Sequence, residues 1–307
     1  MRGWGAAATA RVVDNPINMP DESASARSRK RFVQLYAPAV GQLAGNLLML
    51  QDVSSLKPGV WFDPFGGNAP LWSLSYEWWF YMMFFVLATR LQRSASSQKY
   101  VVFALSLTGC AIYQRFPNQL CLFLGYFLTW WAGAECAREY VDRGAVTWRR
   151  QSPTVLMLGL LCVAWTTGIV VAHHHGVHLR WGTAPILQVR HVGAALLLLT
   201  AGITWYKLRF PGFRFTFGPL AALGPVSYAL YVLHYPVLAY LSAVTHVSSI
   251  ARLLLAMALV LPLAYLLEVR AQPRINAWFS GLSSGRTRRV QPPQGEPLTA
   301  VMDSGTP

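Results

Sequence analysis

The chain has 307 residues, of which 54% are hydrophobic and only 12% are charged. Soluble globular chains carry about a quarter charged residues, and the apolar residues here form blocks of about 15 to 20, a length suited to membrane spans. This composition excludes a soluble enzyme, a secreted disulfide scaffold and a disordered chain. The net charge of +14 is explained by the retention of Lys and Arg in cytoplasmic loops, so no nucleic-acid partner is expected. The sequence predicts an all-α protein, a polytopic transmembrane helical bundle.

Apolar segments in chain order predict about eight membrane spans. They are Gln34–Leu50, Leu71–Thr89, Tyr100–Tyr113, Pro117–Glu135, Thr154–Ala172, His191–Tyr206, Phe217–Tyr235 and Ser249–Leu267. The first carries the polar residues Gln42 and Asn46, and the third is short enough to need tilting or local thinning of the bilayer. These spans define a membrane-embedded domain over residues 33–268. A polar leader, residues 1–32, precedes it, and a basic tail, residues 269–307, follows and is expected to be disordered.

The distribution of Lys and Arg predicts the orientation. If the leader is cytoplasmic, nineteen Lys and Arg residues fall in cytoplasmic segments and five on the opposite side. Those five are Lys57, Arg115, Arg180, Arg190 and Arg252. Because cytoplasmic loops are enriched in Lys and Arg, we expect a multi-pass protein of the cell (inner) membrane with both termini in the cytoplasm.

The densest polar group within an apolar segment lies in residues 70–81, PLWSLSYEWWFY. On a helix, Ser73, Glu77 and Tyr81 are spaced i, i+4, i+8 and share one face. A carboxylate inside a span is costly unless it faces a cavity or a partner, so Glu77 is a candidate catalytic residue. The alternative is an interfacial belt of aromatic residues, in which Glu77 reaches water or an ion-pair partner.

A second polar stripe lies in residues 223–236, LGPVSYALYVLHYP, where Ser227, Tyr231 and His234 are spaced i, i+4, i+7. Pro225 can kink this span and free backbone groups beside the stripe. His234 can serve as general base, proton relay or ligand; the alternative is a histidine hydrogen-bonded at the interface. The predicted orientation puts Glu77 and His234 at similar depth, toward the non-cytoplasmic face, and we expect them to line one cavity.

Three weaker features complete the sequence reading. A loop histidine cluster at residues 173–178 is joined by no Cys or carboxylate, so no metal site is expected. Residues 51–69 form a loop long enough to fold over a cavity or to lie in the interface. Glu268, beside Arg270, is interpreted as part of a helix end with an ion pair.

The two motifs resemble the acyltransferase-3 family, integral-membrane enzymes that O-acylate surface sugars and lipids. WSLSYE at residues 72–77, followed by Phe80 and Tyr81, is similar to the family run WSLSxEEQFY, with tryptophan at the positions of the second Glu and the Gln. Residues 224–236 are similar to its late element G-x-x-S-Y-x-x-Y-x-x-H-x-P. The resemblance covers about residues 27 to 275 and assigns the membrane domain to this family.

The resemblance implies an acyltransferase that transfers groups other than amino-acyl groups. It would move an acyl group, expected to be acetyl, from acyl-CoA as co-substrate to a hydroxyl of a cell-surface polysaccharide or lipid-linked sugar. Glu77 and His234 are then the expected catalytic residues. The expected substrate-binding residues are Ser73, Ser75, Tyr81, Ser227, Tyr228 and Tyr231. Arg31 is expected to bind the acyl donor, since guanidinium suits a CoA phosphate; the expected partners are acyl-CoA, the glycan acceptor and the bilayer, with no bound cofactor or metal.

Two departures from the family pattern leave alternatives open. The family usually has ten core spans, and the first carries a histidine regarded as the catalytic base; the resemblance here begins just before the third. The family pair R-x-x-R reads RFVQ at residues 31–34, with Gln34 at the second Arg. An inactive truncated member is therefore one alternative. The other is a transporter of a glycolipid or anionic substrate that uses Glu77 and His234 as proton relays.

Overall fold

The computed structural model describes residues 40–90 and 95–284. Across these residues the fold is helical, without a β-strand; one isolated bridge joins Gln51 and Phe62. The predicted all-α membrane class is confirmed. Residues 1–32, including Arg31, and the end of the tail lie outside the described ranges.

The helices follow the predicted segments closely. They are α1 Val40–Leu47, α2 Trp72–Arg90, α3 Ala95–Arg115, α4 Gln119–Arg143, α5 Trp148–His174, α6 Ile186–Lys207, α7 Ser227–Val244, α8 Ser249–Tyr265 and α9 Gln272–Ser284. A 3-10 segment, Pro219–Val226, leads into α7, and a π-helical segment, Leu266–Ala271, joins α8 to α9.

Five stretches of the described chain are long and apolar enough to cross a membrane. They are Gln119–Arg143, Trp148–His174, Ile186–Lys207, Pro219–Val244 and Ser249–Gly281. Within the described part of the first predicted span, the helix α1 has 8 residues, and at about 1.5 Å per residue this helix is too short to cross a bilayer. The count of about eight spans stays a prediction.

Two predicted boundaries are wrong. The seventh predicted span, Phe217–Tyr235, ends before Pro236, but α7 continues through this proline to Val244. A membrane helix tolerates proline when neighbouring groups satisfy the backbone groups that the proline frees. The disordered tail predicted from residue 269 does not hold for residues 269–284, which are helical. The Gly-, Ser- and Pro-rich composition behind that prediction begins only at Gly281.

The main core is formed by side chains from the five helices α2 through α6 and is centred on α4. Side chains of α4 that are fully buried include Leu122, Phe127 and Trp131. The backbones of α3 and α4 approach closely because Gly109 has no side chain: a Cβ there would lie 2.7 Å from the Cβ of Leu124. Small residues permit such close helix packing in membranes. This close approach joins α3 to α4 within the core.

A smaller core joins α7 to α8, where Val226 and Ala229 pack with Ala264. The first N–H groups of a helix have no partner within the helix. The Ala229 N–H donates to Glu268 Oε1 over 3.0 Å, and a carboxylate suits the positive end of the helix dipole. The ion pair expected between Glu268 and Arg270 is therefore replaced by a cap on α7.

Candidate functional site

A buried ion pair fixes the loop of residues 51–69 against α2. Lys57 Nζ lies 2.7 and 2.9 Å from the two Asp52 carboxylate oxygens, and the Tyr76 hydroxyl donates to Asp52 Oδ2 over 2.6 Å. Both charged side chains are almost fully buried. Burial lowers the pKa of Lys57, and the Asp52 carboxylate opposes that shift. The Lys57 ammonium also lies 4.2 Å from the centre of the Trp72 ring, so the loop positions the first turns of α2.

Side chains of the helices anchor the same loop along its length. Gln119 accepts from the Trp61 N–H over 2.9 Å and donates to Leu50 O over 2.7 Å. Buried Ser75 donates to Gln51 O over 2.7 Å. The loop therefore packs on the helix ends, and Ser75, expected to bind substrate, contacts the loop instead.

A cavity of about 210 Å³ lies between α2, α4 and α6. Its lining residues are Trp72, Ser73, Tyr76, Glu77, Phe80, Tyr126, Thr129, Trp130 and His191. Mostly aromatic walls with a few polar groups are typical of small-molecule sites. The Glu77 side chain is exposed and makes no hydrogen bond or ion pair with the residues described. Glu77 therefore lines the cavity without a partner among the residues described, as the sequence predicts for a polar face on α2.

His191 is the imidazole in this cavity, and it was not among the residues predicted from sequence. Its ring stacks on Trp72, with centroids 5.5 Å apart and planes 10° apart. Its Nδ1 lies 3.3 Å from the Tyr126 hydroxyl. In the sequence, His191 marked only the start of a predicted span. The available signal was a histidine inside an apolar segment, which is by default a functional candidate.

The two predicted motifs meet at Tyr231. Its hydroxyl donates to Pro70 O over 2.6 Å, and Ser73 Oγ lies 2.6 Å from the same hydroxyl. Asn68 adds a hydrogen bond to Val232 O over 2.9 Å. The expected proximity of these motifs is found, with Ser73 at the edge shared by the cavity and α7.

His234 is not among the residues that line this cavity, so the described part of the chain does not bring it to Glu77 there. Its Nδ1 lies 2.6 Å from Tyr231 O, and because a carbonyl only accepts, Nδ1–H is the donor. The physical reason is that Tyr231 occupies the contact with α2, and His234 lies one turn further along α7. His191, and not His234, is the histidine that lines this cavity together with Glu77.

The other predicted site residues do not line the cavity. Ser227 is exposed and donates to Gly224 O over 2.8 Å. Tyr228 is 60% exposed, and Tyr81, 53% exposed, forms a T-shaped contact with the Trp130 ring. The structure thus brings Ser73 and Tyr231 together near Glu77 and leaves Ser227, Tyr228 and Tyr81 outside that group.

Comparison with known protein families gives a match to the model described as an acyltransferase domain, over residues 18–269. No curated protein and no solved structure matches the chain significantly. The match covers most of the chain and includes every residue that lines the cavity.

Proposed function

Because the chain belongs to the acyltransferase-3 family, we propose that it moves an acyl group, in the simplest case acetyl, from acyl-CoA to a hydroxyl of a cell-surface polysaccharide or lipid-linked sugar. The family match and the apolar helices support a membrane acyltransferase in general. One observation carries the finer proposal: Glu77, which has no partner among the described residues, lines an aromatic-walled cavity.

Acyl transfer to an alcohol requires a base, since a neutral hydroxyl is a weak nucleophile. In the proposed reaction Glu77 takes the hydroxyl proton as the acceptor oxygen attacks the thioester carbonyl. The new C–O bond forms, the C–S bond breaks, and the departing CoA thiolate takes the proton back from Glu77. Glu77 is suited to this because no described residue occupies its oxygens.

The size of the cavity supports a site for the reacting groups alone. At about 210 Å³ it is smaller than the roughly 300–1,000 Å³ of sites that enclose a drug-sized ligand. An acyl group and one hydroxyl-bearing part of a sugar fit such a volume, whereas the nucleotide of CoA must stay outside.

The orientation is part of this proposal. We assign the end of the bundle that carries loop 51–69 to the non-cytoplasmic side, on the basis of the Lys and Arg distribution. In this arrangement surface glycans approach from that side and acyl-CoA approaches from the cytoplasm, where Arg31 would meet a phosphate of CoA.

A double-label assay tests the function. The protein in liposomes is given acetyl-CoA labelled with ¹⁴C in the acetyl group and ³H in the CoA, together with lipid-linked glycans from membranes that lack the protein. We expect ¹⁴C without ³H in the glycan fraction, and none from protein-free liposomes. Uptake of label into vesicles without transfer would contradict the proposal and favour the transporter.

A further inference from the structure

We propose that His191 is a second catalytic residue, which donates a hydrogen bond from Nε2 to the acyl carbonyl oxygen, and that Tyr126 is the positioning residue that fixes its tautomer. This inference rests on the proposed acyl transfer. It assigns a role to the cavity imidazole that neither motif of the sequence contains.

The tautomer follows from the hydrogen bonds of Tyr126. Its hydroxyl is buried, and His191 Nδ1 is its only hydrogen-bonding partner among the residues described. A buried donor left without an acceptor costs free energy. The arrangement that avoids this cost has Tyr126 O–H donating to Nδ1, so that the proton of the neutral ring is on Nε2. His191 Nε2 makes no hydrogen bond to a described residue and is available to a ligand.

The packing around His191 holds the ring still. Trp72 stacks on the imidazole, and Tyr126 packs on it with centroids 5.6 Å apart. Trp72 is itself held by the cation contact with Lys57, which is fixed by Asp52. A donor that is already oriented stabilises developing negative charge without reorganisation during the reaction.

Glu77 and His191 then divide the chemistry. As Glu77 takes the proton of the acceptor hydroxyl, the thioester carbonyl becomes a tetrahedral oxyanion, and His191 Nε2–H donates to that oxygen. When the C–S bond breaks, the carbonyl re-forms and the thiolate leaves with the proton from Glu77. His191 keeps its own proton throughout, so its role is electrostatic.

Four variants test this assignment in the double-label assay with kcat and KM measured for acetyl-CoA. His191→Ala should lower kcat by roughly 10²- to 10³-fold, as loss of one oxyanion donor does elsewhere, with KM within about threefold. His191→Gln, which keeps a side-chain N–H, should recover part of that loss. Tyr126→Phe should lower kcat by roughly tenfold. The matched control is His174→Ala, since His174 is exposed at the end of α5 and outside the cavity.

A second readout separates a positioning role from a structural one. In ¹⁵N-histidine NMR spectra at neutral pH, the signal that His191→Ala removes should report a proton on Nε2 in the wild type, and Tyr126→Phe should give a mixture of tautomers. Wild-type kcat in His191→Ala, or a proton on Nδ1 in the wild type, would overturn the inference while acyl transfer stands. Absence of transfer by folded wild-type protein would instead reject the proposed function, and this inference with it.

Discussion

Ser73 and Tyr231 are 158 positions apart in sequence, and their hydroxyl oxygens lie 2.6 Å apart. Because the single proton of the Tyr231 hydroxyl goes to Pro70 O, Ser73 is the donor in this pair. The contact joins α7 to the first turn of α2, next to Glu77. Through this contact the motif at residues 224–236 holds a cavity-lining residue, Ser73, although Tyr231 itself does not line the cavity.

Removal of this hydroxyl should destabilise the bundle. Tyr231→Phe removes the hydroxyl that both Pro70 O and Ser73 Oγ contact and leaves only the long 3.5 Å contact between these two groups. We expect a loss of about 1–3 kcal/mol in the free energy of unfolding. Thermal denaturation in detergent measures it. Tyr235→Phe is the matched control, because Tyr235 is on the same helix, exposed and without a hydrogen bond to the residues described. Equal stability of the two variants would contradict the assigned contact.

The buried ion pair of Lys57 and Asp52 predicts that a single variant loses more free energy of unfolding than the double variant does. Lys57→Met leaves the Asp52 carboxylate buried without its counter-charge, and breaking such a pair costs about 3–5 kcal/mol. The double variant Lys57→Met with Asp52→Asn removes both charges and should recover part of the loss. Lys207→Met, at an exposed lysine, should change little. A chemical denaturation series on wild type and these three variants checks this, and a double variant no more stable than Lys57→Met would count against the pair.

The orientation can be checked with reporter fusions. The charge asymmetry of nineteen to five predicts cytoplasmic signals for fusions after Arg150 and Arg214, since cytoplasmic loops retain Lys and Arg. Fusions at Gly66 and Gly176 should report the opposite side. A cytoplasmic signal at Gly66 together with a non-cytoplasmic one at Arg150 would refute the assigned orientation.

Much of the fold was predictable because long apolar segments leave the chain few choices. The segment predicted as Leu71–Thr89 is helix Trp72–Arg90, and the spacing of Ser73 and Glu77 correctly puts both on the cavity. The end of α7 was not predictable, because Pro236 breaks a helix in water but is tolerated in a membrane bundle.

The residues of the site that the sequence did not predict are brought there by contacts between distant parts of the chain, which no local pattern encodes. His191 and Glu77 line one cavity only because α6 packs beside α2 and α4. Tyr126, the partner of His191, is one aromatic residue among many in α4. Asp52 and Lys57 lie in a loop, where charges usually face water, and only the folded loop pairs them. The polar stripe on α7 was read correctly as a helix face, but its contact residue is Tyr231, and His234 lies outside the cavity.

The most direct measurement is acyl transfer by Glu77→Gln, which keeps the shape of the side chain and removes its charge and basicity. The account predicts a loss of at least about 100-fold in kcat, the usual contribution of a general base, with the folded fraction in detergent unchanged. Glu135→Gln is the matched control and should retain turnover. Glu135 is also a carboxylate on a membrane helix, but it does not line the cavity and instead accepts a hydrogen bond from the Trp131 side chain. Near-normal transfer by Glu77→Gln would contradict the claim that this cavity is the site of the reaction.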